Sequence, residues 1–443
     1  MYFLYSFITL LALVALSPYL AYQALRHGKF IGGLGERLGS LPSSLNAAGD
    51  ESIWIHAVSV GEVLAAAPLI AELRQRYPQL RLFLSTTTLT GQRLARQGAV
   101  DVDGVLYFPV DWAFCVRRTL NRLTPRLFVM IDTEIWPNLL RECRRRGIPT
   151  MLANGRLSSR SFPRYRMIRP LFRHVLADVD RLCVQGGEAA SRFEALGADP
   201  ASITVAGSLK FDALDAVHAP GIGGARVLRF FRMSANRPVL VAGSTLQGEE
   251  AAVIRAFNRV RAGGGRPLLV LAARHPERFA EVERLCVSEG LSTVRRTDLP
   301  IDAEPPADVV VLDTIGELAD VYQIATVVFV GGSLVRAGGH NILEPAAFGK
   351  PVVVGPHMDN FAEIAETFLS NDAAVQVQSD RDLESTIAGL MGDPVRRAKL
   401  GAAARALVDT NRGAKDRTLA VVAQLLPPED RRAAVVHPFR VRR

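Results

Sequence analysis

The chain has 443 residues, 49% hydrophobic and 22% charged, which excludes long-range disorder and is too much for one ordinary core. Its formal charge is +9, and the excess is N-terminal: 25 of 53 Lys and Arg, but only 17 of 44 Asp and Glu, precede Ala213. Cys115, Cys143, Cys183 and Cys286 have neither a CxxC pair nor a His at ligand spacing, which argues against a zinc site and a disulfide framework.

Tyr2 to Tyr22 carries no charged residue and has the length of a membrane-spanning helix. The basic residues Arg26, His27, Lys29 and Arg37 follow it, which predicts an anchor with the body on the cytoplasmic side, not a secretory signal. Pro18 leaves a kinked or monotopic anchor open. Residues 1–30 are the expected anchor.

From Ser52 to Ser208 the apolar runs IWIHAVS, LRLFLSTT, VLYFPV, RLFVMID, IPTMLAN, RLCVQ and ITVAGS alternate with helix-length segments. A second series follows from Pro238: PVLVAGS, PLLVLAA, LSTVRR, VVVLD, TVVFVGG, PVVVGP and AAVQVQ. This rhythm predicts two parallel-sheet α/β domains, 31–212 and 238–426, joined by a linker at 213–237. Helix is expected from Pro394 to Leu426, interrupted near Gly413 and packing back on the first domain, before a basic tail at 427–443. No GxGxxG follows the first strand, which disfavours a dinucleotide-binding dehydrogenase and favours a two-domain transferase with its site in a cleft. The basic clusters Arg141–Arg146 and Arg156–His174 suit an anionic lipid or phosphate. They come without a zinc finger or an aromatic RNA-binding signature, so nucleic acid is not expected.

Several loops leave the carboxyl ends of these strands, where open α/β sheets bind ligands. WIHAVSVGE places Glu62 in a first helical turn, where it is either a general base or an ordinary helix-start carboxylate. Asp132 and Glu134 close another strand before Pro137, and Lys210 lies beside the linker; all three also read as solvated residues. Ser244 and Arg274 follow strands of the second series. Thr326 to Pro356 is a strand, glycine-rich bend, helix and strand whose Gly331, Gly332, Gly338 and Gly339 would let a ligand approach the backbone. Asn341 and Glu344 stand at the helix mouth as an anion site, a capping box, or both. The pairs Asp101/Asp103 and Asp178/Asp180 precede strands, and no HExxH or Walker loop is present, so no metal is expected.

Taken together, WIHAVSVGE, STTTLTGQRLA, TEIWPNLL, GSLKFD, ARHPERF, DTIGELADVY and FVGGSLVRAGGHNILEPAAFGKPVVVGPHMDNF closely resemble the bacterial 3-deoxy-D-manno-octulosonic acid (Kdo) transferases of lipopolysaccharide synthesis. The resemblance runs from about Leu34 to Phe368 with the motifs in order. It implies a GT-B architecture of two Rossmann-like domains facing a cleft, with an N-terminal membrane anchor at the cytoplasmic face of the inner membrane. It also implies CMP-Kdo as donor substrate, with no separate cofactor, and the anionic lipid A precursor as acceptor. By the same resemblance Glu62 is the proton acceptor, and Asp132 and Lys210 stabilise the transition state. The nucleotide contacts fall on Ala273 and Arg274, on Gly316, Glu317 and Leu318, and on Asn341, Ile342, Leu343 and Glu344. The chain departs from the family pattern at Asp132 (usually Glu), at Ala273 (usually Pro) and at Gly155 in Asn154-Gly155-Arg156 (usually Ala). The alternatives are a transferase using another nucleotide sugar, such as a UDP-sugar, and a non-catalytic nucleotide-binding scaffold at a membrane.

Overall fold

The computed structural model describes residues 33–157, 161–218, 227–234 and 237–426, together with residues 2, 5–11 and 15. The chain divides into two compact units, Met1–Ala213 with Arg412–Arg443, and Leu214–Asn411.

In the first unit β1 (Ser52–His56), β2 (Arg81–Thr86), β3 (Gly104–Tyr107), β4 (Pro125–Ile131), β5 (Thr150–Gly155), β6 (Arg181–Val184) and β7 (Ile203–Val205) form one sheet, ordered β3-β2-β1-β4-β5-β6-β7. Every pairing is parallel. The apolar runs are unbroken because both faces are covered. Ile53 and Ile55 enter a core with Leu82, Leu84 and Val129, while Trp54, between them in sequence, enters the opposite core with Phe83 and Phe128.

In the second unit β8 (Val239–Thr245), β9 (Leu268–Ala273), β10 (Thr293–Arg295), β11 (Val309–Val311), β12 (Val327–Val330), β13 (Val352–Val354) and β14 (Val375–Gln376) form a second sheet, ordered β10-β11-β9-β8-β12-β13-β14. It too is parallel throughout. All fourteen strands fall on the apolar runs named above. The strand order reverses between β1 and β4 in one sheet and between β8 and β12 in the other, and ligands of open α/β sheets collect at such switch points.

The covering helices include α1 (Val60–Arg76), α2 (Pro137–Arg145) and α3 (Leu209–His218), then α4 (Glu249–Ala262) and α5 (Leu343–Ala347) of the second unit. Helix α6 (Ala414–Leu425) returns to the first unit, where Leu419 and Val422 join the Ile53 core. Gly413 breaks the helical run at φ 88°, and the buried Asp212 carboxylate accepts the amides of Gly413 (2.7 Å) and Lys415 (2.6 Å). The start of α6 is thus capped by the residue that follows Phe211 of α3.

The expected anchor, Tyr2–Tyr22, lies largely outside the described residues, as does the basic tail. Among the described residues no helix is long and apolar enough to cross a membrane. The N-terminal residues that are described rest on the first unit. The Arg141 guanidinium lies 4.2 Å over the Tyr2 ring, Asn138 Nδ2 donates to Ser6 Oγ (2.9 Å), and Trp112 Nε1 donates to Thr9 Oγ1 (3.3 Å).

Candidate active site

The switch point of the first sheet carries a cluster of acids. β1 ends at His56, and Ala57–Ser59 lead into α1, placing Glu62 in its first turn. Glu62 bends back on this turn: Oε2 accepts the Val58 amide (2.7 Å) and Oε1 accepts the Ser59 hydroxyl (2.8 Å). Ser59-Val-Gly-Glu62 is thus a relative of the capping box, so the ordinary reading of this glutamate is correct as far as it goes. Its electrostatics go further. Burial, then the neighbouring Asp132 carboxylate, push the Glu62 carboxyl up to about 7, against the bonds from Val58 and Ser59 and with a smaller push from Glu134. A carboxyl poised there exchanges protons at neutral pH.

Asp132, the first residue past β4, is 7% exposed and sits at φ 63°, a left-handed conformation that Asp tolerates better than most residues. Its Oδ1 accepts from Asn154 Nδ2 (2.5 Å), and its Oδ2 lies 3.2 Å from Arg156 Nε. Asn154, at φ 59°, in turn accepts the Leu209 amide on Oδ1 (2.9 Å). Hydrogen bonds therefore link Asp132 to the first residue of α3, directly before Lys210. The sequence placed Lys210 in a loop; it is the second residue of that helix. Asn154 and Arg156 had no role assigned from sequence, because their link to Asp132 crosses from β5 to β4. The shorter Asp132 side chain is thus anchored on β5.

In the second unit the glycine-rich bend differs from expectation. The Glu249 carboxylate, 0% exposed at the start of α4, occupies its amides. Oε2 accepts from Leu246 (2.9 Å) and Gly332 (2.7 Å), and Oε1 from Ser333 (3.1 Å), Leu334 (2.9 Å) and, at the limit, Val335 (3.5 Å). A Cβ on Gly331 would lie 2.6 Å from Ser244 O and 2.6 Å from Thr245 Cα, so this glycine serves the approach of β12's end to β8's end, not of a ligand. The expected backbone cradle at Gly331–Gly332 is filled by the protein's own anion.

Beyond it the bend doubles back, the Gly339 amide donating to Gly332 O (2.7 Å), and delivers His340, Asn341, Ile342, Leu343 and Glu344. Asn341 Oδ1 accepts the Leu343 amide (3.1 Å) and its Nδ2 donates to Glu344 Oε1 (3.0 Å). Helix α5 has only five residues, so its dipole is slight and the side chains carry the chemistry. Burial raises the Glu344 carboxyl, while Asn341 and Arg274 pull it down. Arg274 is exposed just past Ala273, its amide held by Thr245 O (2.9 Å). Burial, helped by Arg274 and His275, pushes His340 down to about 4, leaving a neutral imidazole at pH 7. Gly316 turns at φ 91°, and the Glu317 carboxylate next to it accepts from Arg296 (2.8 Å) and Thr314 (2.6 Å) before Leu318 opens a short helix. Arg296 is itself stacked on Phe230 at 3.5 Å. Arg274, Asn341 and Glu344 thus come together, and Glu317 is tied to Arg296.

The profile of the 3-deoxy-D-manno-octulosonic-acid transferase (kdotransferase) family matches residues 32–213. The 3-deoxy-D-manno-octulosonic acid transferase of Haemophilus influenzae is 35% identical over 83% of this chain and 86% of that protein. The one of Bordetella pertussis is 36% identical over 92% of this chain and 96% of that protein. Among solved structures, UDP-GlcNAc 2-epimerase from Neisseria meningitidis bound to UDP-GlcNAc matches with a TM-score of 0.57 over 85% of this chain and 99% of that one, at 11% identity. That likeness concerns the fold alone, a GT-B-like pair of parallel sheets. By identity and coverage the chain belongs to the Kdo transferases and is a glycosyltransferase that transfers Kdo.

Proposed function

We propose that the chain moves Kdo from CMP-Kdo to the lipid A precursor at the cytoplasmic face of a membrane, with inversion at the anomeric carbon and Glu62 as the base. The observation that carries this reading is the placement of Glu62 in the first turn of α1 at the β1/β4 switch point, half-buried beside Asp132, where burial and that carboxylate push its carboxyl up to about 7. The bond between the anomeric carbon and the phosphate oxygen breaks, and CMP leaves with the electron pair. The acceptor hydroxyl attacks the oxocarbenium-like carbon from the opposite face, and its proton passes to Glu62. Asp132, braced by Arg156 and Asn154, stabilises the developing positive charge, and Lys210 meets the donor's carboxylate. In the second unit Arg274 and Asn341 meet the phosphate as charge builds on it; Ala273 and the segments Gly316–Leu318 and Ile342–Glu344 shape the nucleotide site around them.

An anionic lipid acceptor accords with the surface of the first unit. There an apolar cavity of about 600 Å³ is lined by Leu10, Phe114, Arg117, Arg141 and Arg145, with Phe7, Ile8 and Leu11 exposed nearby in sequence. Glu142 lines the same cavity and pairs with Arg117 and Arg145, so it is Arg141 beside these apolar side chains that suits an anionic group above acyl chains.

The test is the mass of the product formed from CMP-Kdo and lipid A precursor, with titration calorimetry of CMP against UDP and ADP. One Kdo or more on the lipid, and binding of CMP alone, are expected. An unmodified lipid, or preference for UDP, refutes the reading.

A further inference from the structure

Three neighbouring strands of the second sheet, β10, β11 and β9, are followed by Arg296, Glu317 and Arg274 respectively. Both pairings are parallel, so the three residues leave the same edge. The loops after β10 and β11 are tied together, the amide and hydroxyl of Thr297 donating to the Asp313 carboxylate at 3.1 and 2.7 Å. The helix that follows Glu317 leads to Tyr322, whose hydroxyl a Cβ on Gly243 of β8 would strike. Burial, and then the Glu344 carboxylate, raise that hydroxyl well above its usual value. The Glu317 segment therefore adjoins the group formed by Arg274, Asn341 and Glu344.

Arg296 has no role in the reading above, yet it is only 7% exposed. Its guanidinium stacks on the buried Phe230 at 3.5 Å, and Nη2 donates to Glu317 Oε1 at 2.8 Å. Thr314 Oγ1 donates to Glu317 Oε2 at 2.6 Å, so each carboxylate oxygen is held once. Arg296 Nε is buried and, among the described residues, has no hydrogen-bond partner. Burying a guanidinium with a donor unpaired costs free energy, and for packing alone an apolar side chain would serve better. What the arginine secures is the orientation of a carboxylate. One lone pair remains on each Glu317 oxygen, and the side chain is still 21% exposed. Beside it Ile315 is exposed, and a Cβ on Gly316 would meet nothing within 4 Å. Glu317 is thus fixed from one side and open on the other.

A carboxylate accepts hydrogens and repels a phosphate. On cytidine monophosphate the groups left to it are the sugar hydroxyls and the exocyclic amine of the base, where uracil has a carbonyl oxygen that a carboxylate repels. We infer that Arg296 is a positioning residue for nucleoside recognition: with Thr314 it fixes the Glu317 carboxylate to accept these donor hydrogens. This rests on the second unit holding CMP.

The measurement is titration calorimetry of the full-length protein with CMP, UMP and dideoxy-CMP, which lacks both sugar hydroxyls. Wild type should bind CMP about tenfold more tightly than UMP if Glu317 takes the amine, or than dideoxy-CMP if it takes a hydroxyl. Arg296→Met keeps an unbranched side chain against Phe230 and releases Glu317. CMP should then bind about tenfold more weakly while the disfavoured nucleotide changes little, so the preference shrinks. Glu317→Gln should do the same, and the double variant should be no worse than Glu317→Gln alone, because Arg296 acts through Glu317. A structural role predicts instead a parallel loss for all three nucleotides and losses that add. Either of those results overturns the inference, as does a CMP affinity that Arg296→Met leaves unchanged, or a wild type that binds the three alike. Should Arg296→Met not fold, Glu317→Gln decides, and a preference it retains is overturning. A wild type that does not bind CMP removes the reading of the second unit and this inference with it, an outcome distinct from CMP binding that is indifferent to Arg296.

Discussion

Glu249→Gln perturbs the second unit at its most connected side chain while changing almost no volume. The amide must turn its NH2 toward either the Leu246 and Gly332 amides or the Ser333, Leu334 and Val335 amides, all of which now donate to Glu249. The less damaging choice leaves two buried N–H groups facing a donor, at about 1–3 kcal/mol each. A loss of roughly 3 kcal/mol is a conservative expectation, and in a unit of about 200 residues it lowers Tm by about 6–12 °C. Scanning calorimetry of the full-length protein measures it, with CMP titration in parallel. Because Gly332 anchors the Gly339 amide ahead of Asn341, CMP affinity should fall too. A Tm within about 2 °C of wild type would show that the bend holds its shape without the charge, and the argument for Glu249 would be wrong.

Glu249→Ala should be less stable still, and formate or phosphate should restore its Tm in proportion to the logarithm of concentration, since the emptied amides form an anion nest; no response to either anion would count against the nest. Glu62→Gln should abolish transfer by about two to four powers of ten in product formation while the protein stays folded, and normal turnover would exclude Glu62 as base. The same variant has a stability signature. A carboxyl raised from 4.5 to about 7 holds a proton in the folded state that the unfolded chain releases, so its contribution to stability falls as pH rises through that window. Urea titrations should therefore show Glu62→Gln gaining on wild type between pH 5 and 8 by up to about 3 kcal/mol, and a pH-independent difference would contradict the raised value. Asp212→Ala removes the cap of α6 and should cost about 1–2 kcal/mol, seen as faster proteolysis beyond Asn411; unchanged cleavage would mean that the apolar contacts of Leu419 and Val422 suffice.

The strands were legible because a parallel strand covered on both faces has one sequence solution, an apolar run such as VVFV at β12. The break at Gly413 was legible for a similarly local reason. What escaped depends on pairs of groups far apart in the chain. Arg156 on Asp132 and His56 against Glu134 are contacts between neighbouring strand ends, and a sequence displays no such neighbours. Glu249 escaped because a glutamate opening a helix is ordinarily solvated, and nothing local tells that it points inward. The resemblance to Kdo transferases singled out Glu62 as the expected proton acceptor, but gave no hint of the environment that raises its carboxyl. That environment is burial, then Asp132, with a smaller push from Glu134.

The filled bend also changes how the second unit would hold a nucleotide phosphate on the proposed reading. Successive amides turning about a positive-φ glycine, as at Gly332, are a general phosphate cradle, and the β8/β12 switch point is where one belongs. With a carboxylate already inside, a phosphate is excluded by space and by like charge. On that reading, recognition would then be left to side chains that the bend projects or that face it, Asn341 and the exposed Arg274. Arg274 would reach a phosphate as a charged donor, and its hold would weaken with salt. Glu249 therefore trades a backbone site for a rigid bend, and the rigidity is what keeps Asn341 and Glu344 in register with Arg274.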